Sequence, residues 1–414
     1  SNVSTLTISS NNGNAAQAST LDMGALNSTT LTSLTVGSST DANDTVDTGN
    51  ITAASLATLN VTGGAAPVTV GNVTSAALSS LATTSTTGEI VVGNVGASAL
   101  SSIALTSSGT AGVIVGTIGT TGSLNSISMT SGTTLASDMD LGAITATGSQ
   151  ISTYTVNLAG TYGASSIGAL AAEGLGAVTI NALGGAGTSF TTGDVSITGV
   201  ALAGAGNIGN IAITSADNVV IGGFATANVA NTTGSIGNYD VSLSGAFGIS
   251  TLGNISVGDS TNADMGNITL TTTGSGGTSL TLGTVDTANG NIGNVTVTSA
   301  DQVVVGAITA AGAGKTVGDV SMTVTGTNNG GSTLAAVTAP ASIGNITLSN
   351  ASDQDLTAAD FVTANVGNVS LTSSAAGDVI VTDFGRVTGT MGTLTVVASA
   401  ANGNIATNAG GIDA

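Results

Sequence analysis

The chain has 414 residues, 22 acidic side chains against two basic ones (Lys315 and Arg386), and no histidine, cysteine or tryptophan. A formal charge of -20 argues against nucleic acid and anionic membrane surfaces as partners, because binding either depends on Lys and Arg. Thiol chemistry, disulfides and His or Cys metal sites are absent outright, and no apolar run is long enough to insert across a bilayer.

Thr, Ser, Ala, Gly and Val dominate the composition, yet 41% of residues are apolar and they recur periodically, which separates the chain from disordered low-complexity sequence. Thr, Val and Gly are poor helix formers, and no 3.6-residue stripe is present. The chain starts at Ser1 without an initiator methionine or a signal pattern, which reads as a mature or excised piece of a longer protein.

In chain order, segments of the form apolar-x-x-apolar-x-apolar begin at Val3, Leu31, Leu56, Leu78, Leu100, Leu124 and Ile151, mostly spelled Leu-Ser/Thr-Ser-Leu. From Leu175 glycine enters the middle of the segment. The Gly-Asn or Gly-Asp spelling then takes over at Ile208, Ile236, Met265, Ile292, Val317, Ile343 and Val366, and a Gly-Thr version follows at Met391. A second motif, apolar-x-apolar-Gly-x-apolar, alternates with the first at Leu21, Val68, Ile90, Val113, Met139 and Leu280. The complete unit is Asn291–Gly314: alternation in Val295-Thr-Val-Thr298 and Val303-Val-Val305-Gly-Ala-Ile308 predicts two short strands with one buried face, separated by two corners.

Recurrence at a period of roughly 24 residues is the signature of a solenoid. A unit with so few large side chains cannot bury a core alone, so each strand must pair with its equivalent in the next unit. The expected fold is all-β: one parallel β-helix over residues 1–414, right-handed by the crossover rule, with about 17 coils. Three regions are distinguished within it: Leu-Ser/Thr-Ser-Leu coils at 1–156, irregular Ala/Gly-rich coils at 157–206, and Ile-Gly-Asn coils at 207–414. Phe247 to Ile255 reads as an extra half-unit. Tyr154 and Tyr239 are expected as wide occupants of the interior, and Pro67 and Pro340 precede apolar segments where a missing donor is tolerated.

The asparagines beside glycine (Asn72, Asn94, Asn210, Asn238, Asn254, Asn267, Asn294, Asn345 and Asn368) are assigned to a structural corner. There glycine supplies either positive φ or close backbone approach, and the amides can form a ladder. Asn60, Asn72, Asn267, Asn294 and Asn345 also match the glycosylation sequon, but the match follows from the repeat itself. Acidic groups at Asp41, Asp44 and Asp47, at Asp138 and Asp140, and at Asp353, Asp355 and Asp360 are candidate calcium ligands. Solvated charge that keeps a rod soluble is their simpler reading. Carboxylates scattered over corners, without histidine or an aromatic sugar platform, point away from an enzyme. Outward hydroxyls such as Thr296 and Thr298 form an array that could order water or bind ice.

At Ile343-Gly-Asn-Ile-Thr-Leu-Ser349 and its relatives the chain resembles the β-strand repeats of bacterial surface proteins, including filamentous-haemagglutinin-like and autotransporter passenger domains. In composition it also resembles secreted surface-layer proteins. The resemblance implies export and an extracellular structural or adhesive role, and it transfers no binding residue. Because the repeat runs from Val3 to about Ile405 without a polar cap, the expected partner is another copy of the chain, in a filament or surface layer. The alternative is an adhesin stalk within a larger secreted protein.

Overall fold

The computed structural model describes residues 3–10, 17–38, 42–185, 187–198, 206–226, 234–245, 247–258, 263–274, 277–326, 330–383, 386–399 and 403–407. Among these every regular element is a strand and every pairing is parallel, so the fold is a parallel β-solenoid of about 15 turns. The chain forms two compact units, Ser1–Val195 and Ser196–Ala414.

A turn of the second unit shows the construction. The long strand Val295–Ser299 is followed by a tight bend, the middle strand Gln302–Val305, a Gly306-Ala307 corner, and the short strand Ile308–Ala310. The two-residue strand Thr316–Val317 then leads through Gly318-Asp319 into the next long strand, Val320–Gly326. This turn therefore carries four strands where the sequence predicts two. In Val303-Val-Val305-Gly306-Ala-Ile308 the glycine sits between strands, not inside one, and the chain changes direction there.

Each position stacks on its equivalent one turn away. Long strands align Ile268 with Val295 and Val320, and Leu270 with Val297 and Met322. Middle strands align Leu280 with Val303, and short strands align Val285 with Ile308. The first apolar residue of the motif forms its own column of isolated bridges: Ile208, Ile236, Met265, Ile292 and Val317. All of these inward side chains are buried, whereas alternate residues such as Thr296 and Thr298 face out. Period-two alternation is thus converted into apolar columns inside and hydroxyl files outside.

The first unit repeats the scheme, with Leu59, Leu81, Ile103, Ile127, Tyr154 and Val178 in one interior column. Tyr154 occupies that column as predicted, and Tyr239 stands between Ile211 and Ile268, its ring 6.0 Å from Phe224 in an edge contact. Burial pushes both phenols well above their ordinary acidity range.

Three expectations need correction. Among the described residues, middle strands number eight in each unit, which makes about 15 turns and not 17. Cross-turn offsets are 22 residues in the first unit's Asn72 corner but reach 28 and 29 in the second, so the mean repeat is longer than the motif spacing suggests. Ile144–Gly160, mostly before the Ala/Gly-rich region, and Leu170–Gly184, within it, each continue from the short-strand column into the long-strand column, and the register between them shifts between Ala146 and Gln150, where Gly148 has φ +82°. Finally, Phe247 to Ile255 is no extra half-unit: Ile249–Leu252 is an ordinary middle strand and Gly253-Asn254 an ordinary corner. Pro67 immediately precedes Val68–Val70, and Pro340 lies at a register shift between Ala339 and Ser342, where the ladder needs no donor.

Candidate functional site

The recurring polar constellation is the Gly-Asn corner, and the structure resolves it into two corners. Asn72, Asn94 and Asn254 lie between middle and short strands. Asn210, Asn238, Asn267, Asn294, Asn345 and Asn368 lie between the bridge column and the long strand. Both use one device: the side-chain Oδ1 of one turn accepts the backbone N–H of the equivalent residue in the next.

At the first corner, the Asn72 N–H donates to Asn50 Oδ1 at 3.0 Å, Asn94 to Asn72 at 2.9 Å, and Thr117 to Asn94 at 2.9 Å. Asn254 accepts from Thr284 at 2.9 Å. At the second corner, Asn238 donates to Asn210, Asn267 to Asn238 and Asn294 to Asn267, at 3.0, 3.0 and 2.9 Å. Asp319 continues the file: its N–H donates to Asn294 Oδ1 at 2.9 Å and its carboxylate accepts from Asn345 at 2.7 Å. Asn368 and Thr393 complete it. Asn50 and Asp319, absent from the sequence-derived set, belong to these files. The Val317-Gly-Asp319-Val320 spelling was the signal for the latter.

The glycine of each pair is explained by space. Gly93, Gly237 and Gly293 do not adopt positive φ, but a Cβ on them would lie 2.7, 2.5 and 2.6 Å from the Oδ1 of Asn72, Asn210 and Asn267. Of the two expected reasons for glycine, close approach is the operative one at these corners. The asparagine side chain of one turn fills the volume that a side chain on the next turn's glycine would need. Direct amide-to-amide stacking occurs elsewhere, where Asn181 Nδ2 donates to Asn157 Oδ1 at 2.7 Å.

Among the calcium candidates, Asp41 lies outside the described residues. Asp44 is fully buried and accepts the Ser19 N–H at 3.2 Å and its hydroxyl at 2.6 Å. Asp138 accepts the Ala164 N–H at 2.9 Å, Asp140 the Ser166 hydroxyl at 2.6 Å, and Asp355 the Asp378 N–H at 2.9 Å. Asp47 and Asp353 are exposed and Asp360 is half-buried. Among the described residues no three carboxylates gather to hold a metal ion. Several of these acids are engaged instead in joining one turn to the next.

Asp301 does the same from the interior. Only 3% exposed, it accepts the Gly274 N–H at 2.8 Å and the Thr278 hydroxyl, which secures the bend of the preceding turn. Asn60, a sequon position, is half-buried on a long strand between Thr35 and Ala82 and takes no part in a corner. Searches against family models, curated proteins and solved structures found no match to the chain.

Proposed function

We propose that this chain is a structural subunit of an extracellular filament or surface layer, in which the end turn of one copy stacks on the first turn of another. One observation carries the reading. Leu394–Ala398 is the last long strand among the described residues; it pairs with Val369–Ser373, and no described strand covers its other edge. Val396 is 52% exposed there, whereas Leu371, in the same column one turn earlier, is 1% exposed. A parallel edge of this kind accepts a further turn in register, whether that turn comes from the same polypeptide or from another copy. In the first unit, Leu6 and Ile8 of Thr5–Ser9 offer a matching inward pair, in register with Leu34 and Val36.

The composition, with few cations and abundant short-chain polar residues, is the one by which the chain resembles secreted surface-layer proteins. In the alternative, an adhesin stalk, further turns of one longer polypeptide would cover the same edge. Light scattering against concentration distinguishes the two. The subunit reading expects mass to grow with concentration and Val396→Asp to abolish the growth; a wild-type protein that stays monomeric would refute it.

A second reading rests on the outward hydroxyls. Thr269, Thr296, Ser321 and Thr347 form one in-register file, and Thr271, Thr298, Thr323 and Ser349 another. Such an array orders water on a flat face; recrystallisation inhibition by the purified protein would support it, and inactivity would dismiss it.

A further inference from the structure

We propose that a groove beside Arg386 is a lateral docking site for a second copy of this chain, which presents the carboxylates of Asp22 and Asp47 to the guanidinium. The inference rests on the assembly reading above and adds a side-by-side contact to the end-to-end one.

The groove follows from the fold. Thr338, Val362 and Arg386 are register partners on successive short strands. They face outward, since the preceding column, Val337 and Phe361, is buried. Pro340 has no N–H to give the ladder, and the register shifts beside it, between Ala339 and Ser342. There the surface is hollowed by about 260 Å³, with Thr338, Pro340, Val362, Ala364 and Arg386 among its lining residues.

Arg386 is exposed, and no described carboxylate forms an ion pair with it; Lys315, the only other cation, is half-buried. In a chain with 22 acidic groups, the guanidinium is therefore the outward point at which a neighbouring copy is attracted and not repelled.

The complement is also on the chain. Asp22 and Asp47 are exposed register partners on adjacent middle strands. Parallel strands set them about 4.8 Å apart, where like charges directly opposite are destabilising. A guanidinium presents its donors in a planar fork that can bond two carboxylate oxygens at once, so it satisfies such a pair better than an ammonium would. Thr338 and the apolar floor then exclude water around the contact.

The test uses the full chain carrying Val396→Asp, which blocks end-to-end growth and leaves lateral pairing to be measured by sedimentation equilibrium. This protein should dimerise. Adding Arg386→Glu should weaken the dimer at least about tenfold, the loss expected when one side of a bidentate charge contact is removed. Mixing Arg386→Glu protein with Asp22→Arg/Asp47→Arg protein should restore dimerisation between the two, while each alone stays monomeric. Thermal melts of all variants control for folding. Dimerisation that Arg386→Glu leaves unchanged, or the absence of rescue in the mixture, overturns the proposal. A monomer at every concentration overturns it too and leaves the groove to a different acidic partner. If end-blocked protein is monomeric while wild type still grows, the lateral contact fails and end stacking stands. If end-blocked protein dimerises but wild type never grows beyond that dimer, end stacking fails and the lateral contact stands.

Discussion

Gly93 and Gly96 are three residues apart, neither has positive φ, and substitution by alanine should have opposite effects at the two. A Cβ at Gly93 would lie 2.7 Å from Asn72 Oδ1 and 2.9 Å from both Asn72 N and Gly71 C. Two of those atoms are backbone, held in place because the Gly93 N–H donates to Val70 O at 2.8 Å and the Asn94 N–H to Asn72 Oδ1 at 2.9 Å. The turns must separate or the asparagine must swing away. Overpacking of this kind costs about 1–3 kcal/mol, and loss of the cross-turn hydrogen bond adds roughly 0.5–1.5 kcal/mol, so Gly93→Ala should cost about 2–4 kcal/mol. At Gly96 the nearest atom to a Cβ is Val73 O at 4.0 Å, on an outward-facing strand position. Gly96→Ala has only the unfolded chain's lost freedom to register and should stabilise by up to about 1 kcal/mol. Urea unfolding followed by circular dichroism gives the global difference, and amide exchange at Asn94 and Val95 gives the local one. If Gly93→Ala behaves like Gly96→Ala, glycine is not at this corner to make room for asparagine.

Other consequences follow from the interior. Thr83 is buried in the column between Val61 and Leu105, and its hydroxyl has no hydrogen-bond partner. Thr83→Val keeps the shape and removes the unsatisfied group, so it should stabilise by about 1–3 kcal/mol, read as a shift in the urea midpoint. Tyr154 and Tyr239 are protonated acids whose folded-state pKa lies above the unfolded value near 10. The unfolded chain then loses its phenolic proton first, so stability is intact below pH 10 and falls as pH rises above it, by about 1.4 kcal/mol per pH unit per tyrosine. A Tyr154→Phe, Tyr239→Phe double variant should show a flatter alkaline limb in thermal melts.

Much of the fold was legible because alternation and recurrence are themselves the physics of a parallel solenoid. Val295-Thr-Val-Thr298 can bury only one face, and only stacking on Ile268 and Val320 satisfies its backbone. Tyr154 and the Gly-Asn corners were readable for the same reason. What stayed hidden depends on the third dimension. Val70-Gly-Asn72-Val73 and Ile236-Gly-Asn238-Tyr239 share a spelling but stand at different corners, because Gly-Asn records a local approach between turns and not which edge of the coil it sits on. Glycine's mid-motif place in Val303-Val-Val305-Gly306-Ala-Ile308 looks like part of a strand until neighbouring turns show the chain bending there. Asp138 and Asp140 look like a ligand pair in sequence, but each reaches along the stacking direction to the next turn.

The central claim, that copies add by continuing the coil, is tested most directly by X-ray diffraction from aligned assemblies of the purified protein. Strands run across the stacking direction, so continued coils place the strand-spacing reflection, near 4.8 Å, on the meridian. A meridional reflection that Val396→Asp eliminates together with the filaments is the predicted result. Filaments with that reflection on the equator would mean that copies associate by their sides alone, and would contradict end-to-end stacking.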